Sequence, residues 1–316
     1  MRLSGLITIL FFLCNTVAGQ NVDVTGQIFD KNTHEPLSFV NLILVDKKMG
    51  SSTDELGNYK FAIDEGLLDE KIAISYVGYN KVIVKVRELV DAELTLQPKT
   101  EELSSVQLYA LQNKHRVRLN PFRRKEIIGI GNFSGGSYPS TVARYYKKPD
   151  EFKKGCFIKK VEISFFATVE QIYKPAKFRI RILEVNEDGM PGEDLLNTDL
   201  IVQKSESDFR EILDLLPYKI NVPNDGFYIA AEHLFIEENE YQETTNYRIN
   251  DTLIYDNVTL TRYAPIFKGV LEDREGAEDC YYKSIKGWKQ MGNLDISNKA
   301  LNNKIPSPAF IVTLTE

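Results

Sequence analysis

The stretch STDELGNYKFAI, residues 52–63, bears most directly on the fold, because a polar turn leads straight into an alternating segment. Tyr59, Phe61 and Ile63 recur with the period of two that is typical of a half-buried β-strand. Gly57 stands at the end of the turn, where a positive φ costs little only for glycine. The stretch therefore predicts a turn followed by a strand with its apolar side chains on one face.

The same alternation extends to both sides of this stretch. Further alternating segments lie between residues 22 and 86, separated by turn signals. Their apolar residues are Val22, Val24 and Ile28; Val40, Leu42 and Leu44; Ile72, Ile74 and Tyr76; and Val82, Val84 and Val86. No segment of this region has the 3.6-residue period of an amphipathic helix. We therefore expect a small β-sandwich over residues 20–98.

Four motifs in this region follow one another in a known order. They are VTGQIFD at 24–30, PLSFVNL at 36–42, STDELGNYKF at 52–61 and ISYVGY at 74–79. In this order they resemble the carboxypeptidase-regulatory-like domain, a transthyretin-like module that is common in Bacteroidetes envelope proteins. The resemblance covers residues 22–98, and it implies a seven-stranded sandwich without catalytic residues.

The first 19 residues have the pattern of a secretory signal peptide. Arg2 supplies a positive charge, residues 6–14 are apolar, and small residues at 17–19 precede an expected cleavage before Gln20. The apolar stretch is shorter than the ~20 residues that span a bilayer, and no later stretch resembles a transmembrane helix. We expect a periplasmic or cell-surface protein with no transmembrane segment after cleavage.

Charge is distributed unevenly along the 316 residues, whose net charge is −6. This acidic balance argues against a general nucleic-acid binder, which needs a basic face. Residues 99–139 are nevertheless positive, and they lie between two acidic domains, residues 20–98 and 140–316. We interpret them as a basic connector that docks on those domains, with anionic lipid or polysaccharide as the alternative contact. Its basic cluster consists of Lys114, Arg116, Arg118, Arg123, Arg124 and Lys125.

Residues 140–316 also carry strand and turn signals. Phe178, Ile180 and Ile182 alternate with two arginines, as in a strand with one buried face. Further strands are expected at 200–203, 218–222, 226–236, 246–255, 281–285 and 309–315, and one or two helical turns over 209–216. Eight or more strands predict a jelly-roll-like two-sheet sandwich. Part of residues 178–196 resembles uncharacterised secreted β-sandwich domains of Bacteroidetes more weakly.

Motifs for a reactive centre are missing from the sequence. It contains no G-x-S-x-G, S-x-x-K or H-E-x-x-H pattern and no Gly-rich phosphate loop after a strand. Paired carboxylates stay open, because a glycosidase needs only two carboxyl groups about 5–10 Å apart. The candidates are Glu184, Glu232 and Glu237. We predict no catalytic residue, metal site or cofactor, and a carbohydrate-active hydrolase is the alternative.

Aromatic residues of the second domain are the candidates for a ligand-binding site. They are the adjacent pairs Tyr145-Tyr146 and Tyr281-Tyr282 and the only tryptophan, Trp288. Successive strand residues point to opposite faces, so one tyrosine of each pair can face outward and stack on a sugar. The alternative is that Trp288 and one tyrosine of each pair fill the core. We predict a non-catalytic adaptor or binding module for a glycan or an envelope protein, with a structural spacer as a further alternative.

Cys156 and Cys280 are the two cysteines that remain after signal cleavage. In an oxidising compartment they can form one disulfide, and two separately buried thiols fit the sequence equally well. A disulfide that closes so long a loop would stabilise the fold by roughly 4–5 kcal/mol.

Overall fold

The computed structural model describes residues 21–100, 110–119, 122, 127–131, 137–153, 155–166, 175–206, 209–249, 252–294 and 303–316. Within them the fold is all-β, with strands and only short 3-10 turns. The turns are Glu65–Leu67, Val86–Leu89, Leu216–Tyr218, Glu237–Asn239, Glu275–Ala277 and Met291–Asn293. The expected signal peptide, residues 1–19, and Arg123, Arg124 and Lys125 of the connector lie outside the described residues. In the part of the chain that the structure describes, no helix is long and apolar enough to cross a membrane.

Seven strands in two sheets form the N-terminal sandwich. They are β1 (Asn21–Asp30), β2 (Asn41–Leu44), β3 (Gly50–Ser52), β4 (Asn58–Asp64), β5 (Lys71–Ser75), β6 (Val82–Lys85) and β7 (Ala92–Leu96). One sheet has the order β4-β1-β7 and the other β3-β2-β5-β6. Buried side chains from both sheets, including Val24, Leu42, Tyr59 and Ile74, form one core. The predicted seven-stranded sandwich is confirmed.

The second sandwich contains the strands that follow. They are β8 (Arg116–Leu119), β9 (Ile127–Ile130), β10 (Thr141–Tyr146), β11 (Phe157–Ser164), β12 (Ala176–Val185), β13 (Pro191–Asp194), β14 (Leu200–Lys204), β15 (Arg210–Asp214), β16 (Phe227–His233), β17 (Glu240–Ile249), β18 (Thr252–Tyr263), β19 (Phe267–Glu272), β20 (Cys280–Ser284), β21 (Gly287–Gln290), β22 (Ile305–Pro308) and β23 (Ile311–Thr315). The largest sheet has the order β13-β12-β16-β10-β20-β21, and β14 also pairs with β12. The other sheets are β15-β11-β23-β8, β22-β19-β9 and the hairpin β17-β18. A core that includes Phe178, Ile229, Phe267 and Val312 joins the three larger sheets in a sandwich-like arrangement.

Three local predictions for this domain are wrong. Residues 209–216 do not begin as a helix, because strand β15 pairs with β11 and takes its backbone hydrogen bonds from that neighbour. Residues 218–222 form no strand, and only an isolated bridge joins Asn221 to Phe157. The single strand expected over 246–255 is two strands, β17 and β18, which pair as a hairpin. Alternation marks extended chain, but it does not mark where the chain reverses.

Part of the basic connector belongs to the second sandwich. β8 pairs with the last strand, β23, and β9 pairs with β19. From the basic cluster, Arg118 on β8 donates to Glu162 on β11 at 3.0 Å. The connector therefore contributes strands as well as charge to the domain that follows it.

The two sandwiches pack against each other beside β3. The backbone N–H of Gly50 donates to the carbonyl of Ser137 at 2.7 Å, and that of Ser52 donates to Phe235 at 3.1 Å. Phe39 of the first domain packs with Leu234 and other apolar side chains of the second. These contacts hold the N-terminal sandwich over the outer face of β12 and β16.

Candidate functional site

The adjacent tyrosines of β10 and β20 divide between the two faces of the large sheet. Tyr146 is buried in the core, where its hydroxyl donates to the carbonyl of Phe310 at 2.8 Å. Tyr145 lies on the outer face, and its hydroxyl donates to the carbonyl of Asp225 at 2.8 Å. Tyr282 packs against the core, whereas Tyr281 lies on the outer face. The structure therefore brings Tyr145 and Tyr281 together and leaves Tyr146 and Tyr282 to the core.

The outer face of the sheet carries a cluster of aromatic side chains. Tyr228 of β16 lies at its centre, with ring centroids 5.5 Å from Tyr145 and 5.6 Å from Tyr281. Trp288 of β21 packs at its edge and is partly exposed. Sequence reasoning missed Tyr228, since only the pairing of β10 and β16 places it beside Tyr145.

A groove of about 400 Å³ runs beside Trp288. Trp288 lies directly opposite Lys283 in the β20–β21 ladder, and the Lys283 Nζ is 5.7 Å from the centre of the indole. We call this surface the Trp288 groove, and its polar and aromatic lining is Arg181, Glu184, Asn186, Glu193, Lys283 and Trp288. An aromatic face with polar groups around it is the arrangement that binds sugars.

A second space, of about 370 Å³, lies between the two domains. Tyr76, Tyr79 and Lys81 line it from the N-terminal sandwich. Arg181 and Lys283 are among its residues from the second sandwich. We call it the interdomain cavity. It shares Arg181, Glu193 and Lys283 with the Trp288 groove, so the two spaces adjoin.

Glu232 lies at the base of the interdomain cavity and is buried. Its carboxylate accepts hydrogen bonds from Asn41 at 2.8 Å and from Arg179, a guanidinium that is itself buried. Burial alone would raise the pKa of Glu232, but Arg179 and Arg181 outweigh it and lower the pKa to about 2. Glu232 is therefore ionised at neutral pH and holds no proton to donate.

The three carboxylates considered for hydrolysis are not placed as a pair. Glu184 lines the Trp288 groove, whereas Glu232 lines the interdomain cavity. Glu237 is exposed in a 3-10 turn and lines neither space. Because a glycosidase needs one protonated carboxyl group beside a second carboxylate, this arrangement gives the hydrolase alternative no direct support.

Lys283 faces both spaces, as Arg181 does. Its side chain is exposed to the solvent in these two spaces, and the other residues that line them lie around it. Desolvation and the neighbouring Arg181 guanidinium lower the pKa of its ammonium to about 8. Sequence reasoning missed Lys283, but the alternation of Arg179 and Arg181 in β12 was a signal for charge on this face.

The two cysteines are buried and free, so the disulfide alternative between Cys156 and Cys280 is not realised. Cys280 begins β20 of the large sheet, whereas Cys156 directly precedes β11 of another sheet. Burial raises the pKa of the Cys156 thiol to about 12 and that of Cys280 to about 11. Both thiols are therefore protonated and unreactive at neutral pH.

Comparison with known families identifies the N-terminal module. Residues 24–108 match the family model described as the CarboxypepD_reg-like domain. The match supports the resemblance that the four sequence motifs indicated. No curated protein matches the chain.

Proposed function

We propose that this protein is a non-catalytic glycan-binding module that works in the periplasm or at the cell surface. Its CarboxypepD_reg-like domain packs on a second sandwich that carries the ligand site. The observation that supports the proposal best is the Trp288 groove, where a partly exposed indole stands among charged and amide side chains. Residues 1–19, with their signal-peptide pattern, support the location.

The chemistry of the groove suits a pyranose ring. The apolar C–H face of a sugar can stack on the indole of Trp288, while its hydroxyl groups exchange water for nearby polar side chains. Asn186 offers an amide and Glu184 a carboxylate on the same surface. A spacer would need no such groove, and a flat protein-docking patch would need no concave polar lining.

Isothermal titration calorimetry with a panel of hexasaccharides tests the proposal. The panel contains cellohexaose, xylohexaose, mannohexaose and hexagalacturonate, and the full chain is used. We expect Trp288→Ala to weaken binding by roughly 10-fold, because the stacked face is lost. The matched control is Tyr218→Ala, which removes an aromatic side chain that is 41% exposed and lies outside the groove.

Two results would contradict the proposal. One is that no oligosaccharide of the panel binds, and the other is that Trp288→Ala binds them as well as the unmodified protein. Reducing-end release measured on the same mixtures addresses the hydrolase alternative. If the unmodified protein releases new reducing ends and Glu184→Gln does not, the function is hydrolysis rather than binding alone.

A further inference from the structure

We infer that the glycan is acidic, and that Lys283 binds a carboxylate of a uronic-acid residue where the Trp288 groove meets the interdomain cavity. This inference rests on the proposed function and specifies its ligand class. Three observations carry it: the balance of charge in the cavity, the position of Lys283 beside the indole, and the contribution of both domains.

The charge of the interdomain cavity does not cancel. Each of its carboxylates has a cation of its own, as Arg179 pairs with Glu232 and Arg181 pairs with Asp194 at 2.6 Å. Lys99 pairs with Glu193 at 2.7 Å. Two lining cations remain, Lys81 and Lys283, and among the described residues neither has an ion-pair partner within 4.0 Å. The cavity therefore has two ammonium groups available to an anion.

The two arginine pairs within the cavity are also held too firmly for the arginines to bind a ligand. Arg181 binds Asp194 through two of its nitrogens, at 2.9 and 2.6 Å. Arg179 has an exposed fraction of only 1% and also binds Asp199. Bidentate pairs of this kind are strong and directional. An incoming carboxylate would consequently be received by Lys283 and Lys81 rather than by the arginines.

The position of Lys283 links the charge to the stacking surface. Its Nζ is 5.7 Å from the centre of the Trp288 indole, and both side chains line the same groove. In a uronic acid the carboxylate is attached directly to the pyranose ring. A sugar ring that stacks on Trp288 can therefore direct its carboxylate to Lys283. A peptide carboxylate has no apolar ring face beside it, so it would contact Lys283 without the stacking on Trp288.

The N-terminal module completes the site. Lys81 follows the turn after β5, and together with Tyr79 it faces the cavity from the opposite side to Lys283. The hydrogen bond from Asn41 to Glu232 and that from Arg179 to the carbonyl of Phe39 hold the two domains in this position. The N-terminal module would thus have a direct part in ligand binding.

Paired probes provide the test. Hexamers of galacturonate, mannuronate and hyaluronan are titrated into the full chain, each beside its neutral methyl ester. We expect at least one acid to bind roughly 10-fold tighter than its ester, with the difference lost in Lys283→Met. Lys286→Met is the matched control, because Lys286 is exposed in the neighbouring turn and lines neither space. Trp288→Ala should weaken the binding of acid and ester alike.

A pH series keeps the test valid if Lys283→Met does not fold. The charged and aromatic groups that face Lys283 are Arg181, Glu193, Asp194, Glu232, Lys81 and Trp288. The Glu193 and Glu232 carboxylates have lowered pKa values and, like the sugar acid, stay ionised between pH 7 and pH 9.5, whereas the Lys283 ammonium loses its proton. The preference of the unmodified protein for acid over ester should therefore fall across this interval.

The outcomes separate this inference from the proposed function. If ester and acid bind equally and Trp288→Ala weakens both, the carboxylate site is wrong and glycan binding stands. If no sugar binds, or if only a peptide with a free carboxyl terminus binds, both proposals are wrong. An acid preference that survives in Lys283→Met, or that does not change by pH 9.5, also overturns the inference.

Discussion

His233 shows how a single buried residue couples this fold to pH. Its Nε2 lies 3.0 Å from the carbonyl of Pro265, to which a neutral imidazole donates, and its Nδ1 lies 3.3 Å from the hydroxyl of Ser140. Its ring packs against that of Phe267, with the two ring centroids 4.8 Å apart. Burial lowers the pKa of His233 to about 4, so the folded protein keeps it neutral.

We predict that the free energy of unfolding falls as the pH drops from 6.5 to 4. The unfolded chain gains a proton at its ordinary pKa, whereas folded His233 does not, so protonation favours unfolding by about 3 kcal/mol across this interval. Urea unfolding at pH 7, 6, 5 and 4 measures the decline. In His233→Gln the decline should be smaller by about that amount. A variant with the same pH slope as the unmodified protein would contradict the assignment.

Two turns between strands, at Gly57 and at Gly189, depend on their glycine to different degrees. Gly57 has a φ of +76° in the turn before β4, where Asp54 Oδ1 accepts the backbone N–H groups of Leu56 and Asn58 at 2.8 Å. Gly189 has the same φ of +76° in the turn between β12 and β13. A Cβ at Gly57 would lie 2.8 Å from the backbone oxygen of Ile28, whereas one at Gly189 would meet nothing within 4 Å.

Substitution by alanine at Gly57 and at Gly189 should lower the free energy of unfolding by different amounts. Gly189→Ala should lower the free energy of unfolding by about 1 kcal/mol, the cost of a left-handed backbone for alanine. Gly57→Ala should lower it by about 2–4 kcal/mol, because the Cβ also displaces the neighbouring strand. Urea unfolding of both variants checks the order. Equal losses would mean that the contact with Ile28 is relieved without cost.

At the scale of the whole molecule, one buried charge network spans the two domains. Arg179 donates to Asp199 and Glu232 of its own domain and to the carbonyl of Phe39 in the other. Asn41 donates to Glu232 from the N-terminal side. The bonds from Arg179 to Phe39 and from Asn41 to Glu232 form only while the domains are docked, so the loss of either donor or acceptor removes a hydrogen bond that joins the domains.

We predict that Glu232→Gln destabilises the protein by about 1–3 kcal/mol, because the buried Arg179 keeps Asp199 but loses its charged hydrogen bond to Glu232. Urea unfolding of the full chain measures the loss. Asp69→Asn is the control, since its ion pairs with Lys85 and Arg87 are exposed and should add nothing measurable. Equal stability of Glu232→Gln and the unmodified protein would show that the contacts of Glu232 with Arg179 and Asn41 add nothing to the stability of the fold.

Period-two alternation in the sequence predicts best the features that depend on a single strand, namely its extended form and the face to which each side chain points. It indicated most strands of the first domain and several of the second, and it predicted that Tyr145 and Tyr146 point to opposite faces of a sheet. The chain reversal between β17 and β18 was missed because it depends on pairing rather than on alternation. The same limit applies to strand β15, which the neighbouring strand β11 stabilises in extended form.

The sequence by itself determined that the chain is all-β, that its first domain is a seven-stranded sandwich, and which residue types recur on one face of each strand. Only the tertiary structure decided that Lys283 lies beside Trp288 and that Arg179 is buried beneath the N-terminal module. The physical reason is the separation along the sequence of the residues that interact. Alternation is a property of neighbouring residues, whereas strand pairing and domain docking join residues as distant as Asn41 and Glu232.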